Sequence, residues 1–329
     1  MSKKCYIKSV AQVSCQQPLS EEWLESPCVY EDQYVRAIEP DTKGLIAPGE
    51  ARRMSKILKR TICTSLAALK SSGIEQPDAI ITGTGMGCME NSEKFLTDMS
   101  KFGESCLKPT LFMQSTHNTI SSLIAINLKC HGYNNTYSQG AVSFESALLD
   151  AWIQIKSGQI NNALVGSHDE VTPLMSKIQS KTHSEYGFLS EASVATVLSS
   201  KADNLGVEVV EVFIGSNLDP QGIGERLSSS DSVLLLGTNG NAQNDGPYAE
   251  LLANLDYTPT TLQYRKVFGD NFSSSAIGFY VAATLLADKP IPDFLIESKG
   301  DGFNEKADSI TILNNSGDST WSIIRLKRN

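Results

Sequence analysis

The residues whose types and order suggest chemistry lie in the segment 134–170. A short predicted strand, residues 134–137, runs into the tight turn Ser138-Gln139-Gly140, and a predicted helix follows from about residue 143 to residue 156. This order is the geometry of a nucleophile elbow, in which backbone N–H groups at a helix N-terminus stabilise a thiolate or an oxyanion. A working nucleophile at such a turn is a cysteine, or a serine beside a base. The turn offers Tyr137 and Ser138 and no cysteine.

A candidate base comes earlier in the chain, in the polar run Gln114-Ser115-Thr116-His117-Asn118. His117 as a general base for Ser138 would make an acyl-transfer pair. The sequence offers no clear acidic partner for that histidine. The alternative is structural, with His117 and Gln114 satisfied by hydrogen bonds in packed surroundings.

Metal and nucleotide chemistry are not indicated. The histidines form no HxH or HExxH pattern and no CxxC is present, so we expect no metal; the four are His117, His131, His168 and His183. The loop Gly83-Thr84-Gly85-Met86-Gly87 is too short for a dinucleotide fingerprint and favours a tight strand-to-helix turn over a phosphate cradle. Cys88 is either a thiol of lowered pKa at a helix start or a small buried residue. We expect no cofactor.

The composition limits the class of protein. The 329 residues are 40% hydrophobic and 20% charged, which suits a large globular core. No run approaches 18 uncharged apolar residues, so we expect no membrane span, and the N-terminus alternates like a strand instead of a signal peptide. The net charge of −9 argues against nucleic acid as a partner. Seven cysteines without pairing or metal spacing suit reduced thiols in a cytoplasm.

Predicted strands and helices alternate along the whole chain. The predicted helices are residues 50–70, 119–129, 143–156 and 272–287. The predicted strands include residues 79–82, 163–166, 191–199, 207–214 and 233–236, of which 191–199 and 207–214 are expected to pair. Residues 310–313 and 321–326 read as a terminal hairpin. The alternation predicts an α/β protein with mostly parallel sheets.

Six motifs resemble those of the β-ketoacyl synthases of the thiolase superfamily and follow one another along the chain in the same order as in that family. The turn at Gly140 and the strand into Glu170 are similar to that family's nucleophile elbow and its Gly-Gly-Thr-Glu strand end. The other similar segments are Gly83–Gly87, Gly187-Phe188-Leu189-Ser190-Glu191, Gly237-Thr238 through Glu250, Lys266 to Ala287, and the terminal hairpin. The resemblance implies a thiolase-like fold, two similar βαβαβ halves in a five-layered α-β-α-β-α stack. Residues 1–200 would form the half with the elbow and residues 201–329 the second half, packed as one body.

The resemblance also shows where this chain departs from the family's Cys-His-His catalytic set. Counting back from Gly140 puts Tyr137 at the nucleophile position, and Leu236 precedes Gly237-Thr238 where the family has a histidine. Asn271 falls at the second histidine, with a one-residue slip to Asp270 or Phe272 left open. A phenol of pKa about 10 is a poor acyl carrier, and losing one hydrogen-bond donor to the oxyanion costs about a hundred- to a thousandfold. We therefore expect no condensation by this chain alone.

The resemblance further implies a partner. In the family, the segment that holds Gln114 and His117 leads to a dimer interface beside the partner's pocket, so Gln114, His117, Ser138 and Gly140 are candidates for a pocket or an interface. A scaffold without the catalytic set resembles a chain-length factor, the non-condensing half of a ketosynthase dimer in fatty-acid or polyketide-type pathways, meeting acyl carrier protein only indirectly. Two alternatives stay open. One is an active acyltransferase or condensing enzyme using shifted residues such as Ser138 and His117, and the other is a homodimeric pseudoenzyme scaffold.

Overall fold

The computed structural model describes residues 3–179, 187–202, 205–317 and 319–329, so His183 and the Asp318 of the terminal hairpin turn lie outside the described residues. The strands are β1 (Tyr6–Val13), β2 (Tyr34–Val35), β3 (Ala79–Gly83), β4 (Tyr133–Tyr137), β5 (Asn162–Asp169), β6 (Leu189–Ser190), β7 (Ala192–Ser199), β8 (Val207–Gly215), β9 (Val233–Leu236), β10 (Thr260–Gln263), β11 (Ile296–Ser298), β12 (Ser309–Asn315) and β13 (Trp321–Arg328). The helices are α1 (Pro48–Ala51), α2 (Lys56–Ser72), α3 (Met89–Phe102), α4 (Pro109–Met113), α5 (Thr119–Leu128), α6 (Ser143–Ser157), α7 (Pro173–Gln179), α8 (Pro220–Gly224), α9 (Ala242–Ala253), α10 (Arg265–Phe268) and α11 (Ser274–Leu286).

The main sheet consists of two halves in which corresponding strands have the same order and relative directions. Its strand order is β11-β10-β9-β12-β13-β8-β1-β7-β5-β3-β4. In the first half, β7 lies antiparallel between β1 and β5, and β3 and β4 continue parallel to β5. In the second half, β13 lies antiparallel between β8 and β12, and β9 and β10 continue parallel to β12. The halves meet through two residue pairs between β1 and β8, and the predicted boundary after residue 200 falls between β7 and β8.

Two expectations about the strands are wrong. The segments 191–199 and 207–214 do form strands β7 and β8, but β1 lies between them, so they do not pair with each other. The sheet is mixed instead of mostly parallel, because β7 and β13 each insert antiparallel into their half. β-branched enrichment indicates a strand without indicating its neighbour. The terminal hairpin of β12 and β13 is confirmed.

Two helices lie between the halves. α6 packs against β3, β5 and β8, and α11 packs against β1, β7, β12 and β13, so both contact strands of each half. Every residue of α11 is buried, which explains a sequence that is apolar on all faces. α2 covers the outer face of β1 and β7. No helix in the described ranges is both long and apolar enough to cross a bilayer.

The layered core fixes the site because the inner helices begin at strand ends. α6 follows the carboxyl end of β4 after a short turn, and α11 follows α10 just beyond β10. At Gly83, the last residue of β3, an added Cβ would lie only 2.5 Å from the carbonyl oxygen of Ser143. The first turn of α6 is thus pressed against the end of β3, which only a glycine permits.

Candidate functional site

The turn after β4 is held by the first residue of α6. Gln139 donates its backbone N–H to Ser143 Oγ at 2.9 Å, and Ser143 Oγ donates to the carbonyl of Gly140 at 2.7 Å. Gly140 has a φ of +57°, which favours glycine. A single 3-10 turn, Gly140–Val142, then leads into α6. The strand, turn and helix predicted from the sequence are therefore present.

Tyr137 lies on the flank of this turn. Its hydroxyl donates to Asp150 Oδ2 at 3.1 Å, and the hydroxyl of Tyr133 donates to the same oxygen at 3.0 Å. Burial, followed by the charge of Asp150, raises the pKa of Tyr137 to about 12. The phenol is therefore fully protonated at neutral pH and engaged with α6.

A cavity of about 250 Å³ opens at the carboxyl ends of the strands, over the start of α6. Its walls come from both halves of the protein and are lined by Ala141, Leu189, Gly237, Asn239, Asn244, Tyr248, Arg265, Asp270, Asn271, Phe272, Asn315, Ser316 and Gly317. Ala141 is the turn residue that reaches the cavity, whereas Tyr137, Ser138 and Gly140 are not among the described lining residues. No cysteine or histidine is among the described lining residues either.

The two positions compared with histidines differ in their surroundings. Leu236 ends β9 and is buried in an apolar cluster with Tyr248 and Trp321, and it is the next residue, Gly237, that lines the cavity. Asn271 does line the cavity. Its Oδ1 accepts the backbone N–H of Ser273 at 2.7 Å and its Nδ2 donates to Ser190 Oγ at 3.2 Å, so the amide braces the start of α11.

An ion pair that sequence reasoning missed lies in the cavity wall. Arg265 Nη1 is 3.1 Å from Asp270 Oδ1. Burial opposes the charged guanidinium, but the neighbouring Asp270 and two tyrosines outweigh it and raise the pKa of Arg265. The sequence pattern offers Asp270 only as a one-residue alternative to Asn271. No sequence signal singles out Arg265, at the start of α10, because the family's lysine is matched to its neighbour Lys266.

A buried polar chain continues beneath this ion pair. Tyr264 donates its hydroxyl to Asn314 Oδ1 at 3.0 Å, and Asn314 Nδ2 donates to Glu145 Oε1 at 3.3 Å. Glu145 also accepts the hydroxyls of Ser275 and Ser322, both at 2.9 Å. Complete burial raises the pKa of Glu145. The chain of hydrogen bonds therefore links α6, α11, β12 and β13 with Tyr264, the residue that follows β10.

The glycine loop after β3 binds a carboxylate of the chain itself. Asp169 Oδ1 accepts the backbone N–H of Met86 and the hydroxyl of Thr84, each at 2.9 Å, and Oδ2 accepts the Ser273 hydroxyl at 2.7 Å. Gly85 also donates its backbone N–H to Asp169 at 3.0 Å. Because these donors are occupied, the loop is a structural turn and no phosphate cradle.

The other candidate residues do not assemble into a site. His117 and Ser138 are exposed, and no hydrogen bond joins them within the described residues. Gln114 accepts the side-chain N–H of Asn91 through its backbone carbonyl at 3.3 Å.

Cys88 is the small buried residue of the two readings, because its side chain is fully buried. Burial, followed by the charges of Glu170 and Asp169, raises the pKa of its thiol, so the expectation of a lowered thiol pKa is wrong. The described residues include no group of acidic, histidine or cysteine side chains able to hold a metal.

The two similar halves and the cavity at their strand ends define a thiolase-like protein of the ketosynthase class. The model of the beta-ketoacyl synthase N-terminal domain matches residues 22–215, and the chain belongs to this family. A 3-oxoacyl-[acyl-carrier-protein] synthase 2 from Synechocystis sp. is 27% identical over 132 residues, which are 38% of this chain and 32% of that protein. The match thus spans about a third of the curated relative.

Solved structures of low sequence identity share the fold. A type II polyketide ketosynthase in complex with its acyl-carrier protein, AntDE:AntF, has a TM-score of 0.80 at 15% identity, with 100% of both chains covered. The ishigamide ketosynthase/chain length factor has a TM-score of 0.79 at 15% identity, again with 100% of both chains covered. The ketosynthase ApeO in complex with its chain length factor ApeC from Xenorhabdus doucetiae has a TM-score of 0.79 at 13% identity, covering 99% of this chain and 98% of that one.

Proposed function

We propose that this chain is the non-condensing partner of an active ketosynthase, a chain-length factor in fatty-acid or polyketide-type biosynthesis. The observation that carries the proposal is that Ala141, in the 3-10 turn that leads into α6, lines the cavity. Acyl transfer at such a turn needs a nucleophile whose anion the helix N-terminus stabilises. A methyl group supplies neither a nucleophile nor a proton.

We propose that Ala141, and not Tyr137, occupies the position of the family's nucleophile. Ala141 faces the cavity, whereas the Tyr137 hydroxyl is directed to Asp150. On the opposite wall, Arg265 and Asp270 form an ion pair in the segment where the family has its lysine and second histidine. An aspartate that is paired with arginine does not donate a proton to a thioester oxygen at neutral pH. Both departures support a chain without condensing activity of its own.

The partner is proposed to bind along β4. This strand is the edge of the main sheet on the side of the first half, and its far side offers backbone groups for pairing. Exposed apolar side chains flank it, Ile126 on α5 and Ile153 on α6. Complexes of a ketosynthase with a chain length factor are among the structures of similar fold, which supports a ketosynthase as the partner. Acyl carrier protein would then meet the pair through the ketosynthase.

The proposal is tested by covalent acyl uptake. Acyl carrier protein that bears a radiolabelled acyl group is incubated with the purified chain by itself. In a second reaction, a cysteine-bearing ketosynthase that co-purifies with the chain is also present. We expect label on the ketosynthase only, and condensation only by the pair. Uptake by this chain alone, lost on Ser138→Ala, would instead establish the active enzyme. A stable homodimer that binds no ketosynthase would establish the scaffold alternative.

A further inference from the structure

Arg265 presents unused hydrogen-bond donors to the cavity. A guanidinium has five N–H donors. In the described part of the chain, Nη1 of Arg265 contacts Asp270 Oδ1 at 3.1 Å and Nε donates to the Tyr264 hydroxyl at a long 3.5 Å. Nη2 donates to no described residue, yet it is not among the fully buried polar atoms that lack a partner. Because Arg265 lines the cavity, a ligand bound there can reach this accessible nitrogen.

The carboxylate beside Arg265 is already satisfied by the protein. Besides Nη1 of Arg265, Asp270 Oδ1 accepts the Ser274 hydroxyl at 3.0 Å, and Oδ2 accepts Asn239 Nδ2 at 3.0 Å. The contact between Arg265 and Asp270 is single instead of the bidentate pair that an arginine and a carboxylate can form. The fork of the guanidinium is therefore still available to another acceptor.

Two amides add further donors to the same wall. Asn315 Oδ1 accepts the backbone N–H of Gly317 at 2.7 Å, which directs its Nδ2 elsewhere. Neither the Nδ2 of Asn315 nor that of Asn244 donates to a described residue, and both asparagines line the cavity. Among the described lining residues, three nitrogen groups thus donate to no described acceptor, while the acceptor-rich side chain, Asp270, is occupied.

We propose that this cavity is a non-covalent binding site for the carboxylate of a short-chain carboxylic acid. A carboxylate supplies the acceptors that match an arginine fork and two amides, and it needs no donor from the ligand. The acyl tail would lie against the apolar part of the wall, Leu189 and Phe272, within a cavity of about 250 Å³. The inference rests on the proposed function and deepens it, because a free carboxylate is no acyl donor and its reversible binding needs no nucleophile at Ala141.

Calorimetric titration of the full-length protein tests the site with hexanoate as probe and hexanamide as its neutral match. We expect hexanoate to bind at least tenfold more tightly than hexanamide. Arg265→Gln should weaken hexanoate binding at least tenfold. Lys266→Gln is the matched control, because this exposed lysine lies outside the cavity lining and pairs with Glu297 at 3.3 Å. That variant should bind hexanoate as the native chain does.

A second variant covers the case in which Arg265→Gln does not fold. Asn244→Ala combined with Asn315→Ala keeps the ion pair and should weaken hexanoate binding several-fold, with hexanamide little affected. Equal binding of acid and amide, or undiminished hexanoate binding by a folded Arg265→Gln, would overturn the site. Acyl uptake measures covalent transfer, whereas titration measures reversible binding. If hexanoate does not bind, the uptake experiment still tests the proposed function independently.

Discussion

The Tyr137 hydroxyl donates a hydrogen bond to Asp150 across 3.1 Å, and Tyr137 is not among the described residues that line the cavity. The hydrogen bond fixes the phenol to the flank of α6, where it packs against the main core. Ala141, four residues further on, takes the place at the helix start that faces the cavity. The strand, turn and helix of a nucleophile elbow are therefore kept, and the position that we propose as the reactive one carries only a methyl group.

A cysteine placed at Ala141 should become a reactive thiol. The N-terminus of α6, a helix of 15 residues, lowers the pKa of a thiol beside it. We expect Ala141→Cys to be alkylated by iodoacetamide at pH 7 at least tenfold faster than Tyr137→Cys, as measured by mass spectrometry of the peptide that contains the new cysteine. Neither variant should gain condensing activity, because the cavity lining holds no histidine in its described part.

The native buried cysteines are internal controls for that measurement. Burial raises the pKa of the Cys5 and Cys15 thiols to about 12 and that of Cys63 to about 11, so these should remain unmodified. Faster alkylation of Tyr137→Cys than of Ala141→Cys would return the nucleophile position to Tyr137.

Gly83→Ala should loosen the turn from the opposite side. The new Cβ would lie 2.5 Å from the carbonyl oxygen of Ser143 and 2.8 Å from the backbone nitrogen of Phe144, so the start of α6 must move. Overpacking of this kind costs about 1–3 kcal/mol. We expect a loss of that size in the free energy of unfolding by urea. Gly49→Ala, inside α1 with nothing within 4 Å of its Cβ, is the control and should be neutral or slightly stabilising.

Much of the fold was predictable because its signals are local. Periodic apolar residues, with glycine stops for α5 and α6 and Pro290 for α11, place these helices within about two residues, and Asn314 to Ser319 indicate the terminal hairpin. Strand neighbours were not predictable, because the insertion of β1 between β7 and β8 depends on how the two halves stack. The helix predicted from residue 50 begins at Lys56, since Ser55 is extended and separates it from α1.

The site was less predictable because its lining residues are far apart in sequence. Tyr137 ends β4 and Ala141 lies in the 3-10 turn before α6, and the number of residues between a strand end and a helix start varies from turn to turn. Counting from Gly140 points to Tyr137, whereas Ala141 is the residue of this turn that lines the cavity. The pairing of Arg265 with Asp270 depends on the side-chain directions at the end of α10, which no periodic pattern encodes.

His168 should make the fold sensitive to acid. Burial lowers the pKa of this fully buried imidazole from 6.5 to about 3; its Nδ1 lies 2.6 Å from Ser193 Oγ. Because the unfolded chain binds a proton below pH 6.5 and the folded chain does not, stability is present above pH 6.5 and falls as the pH drops toward 3. The loss is about 1.4 kcal/mol per pH unit, or about 2 kcal/mol at pH 5.

A pair of histidine variants isolates that contribution. His168→Asn should lower the free energy of unfolding by urea at pH 7. Between pH 6.5 and pH 5, the variant should lose about 2 kcal/mol less of that free energy than the native chain. His117→Gln, at an exposed position, should leave the slope unchanged. An identical slope in the native chain and His168→Asn would show that the imidazole is protonated in the fold.

Substitutions beside β4 should break the proposed complex. Ile126 is 73% exposed on α5 and Ile153 is 51% exposed on α6, and the two helices pack on β4 from the two faces of the sheet. An aspartate at either position would have to lose water inside an apolar interface. We expect Ile126→Asp and Ile153→Asp each to weaken binding to the co-purifying ketosynthase at least tenfold, about 1.4 kcal/mol, as measured by surface plasmon resonance. Val29→Asp, at a residue 86% exposed and remote from β4 in sequence, is the matched control and should bind normally. Normal binding by both isoleucine variants, with Val29→Asp weakened, would place the interface away from β4.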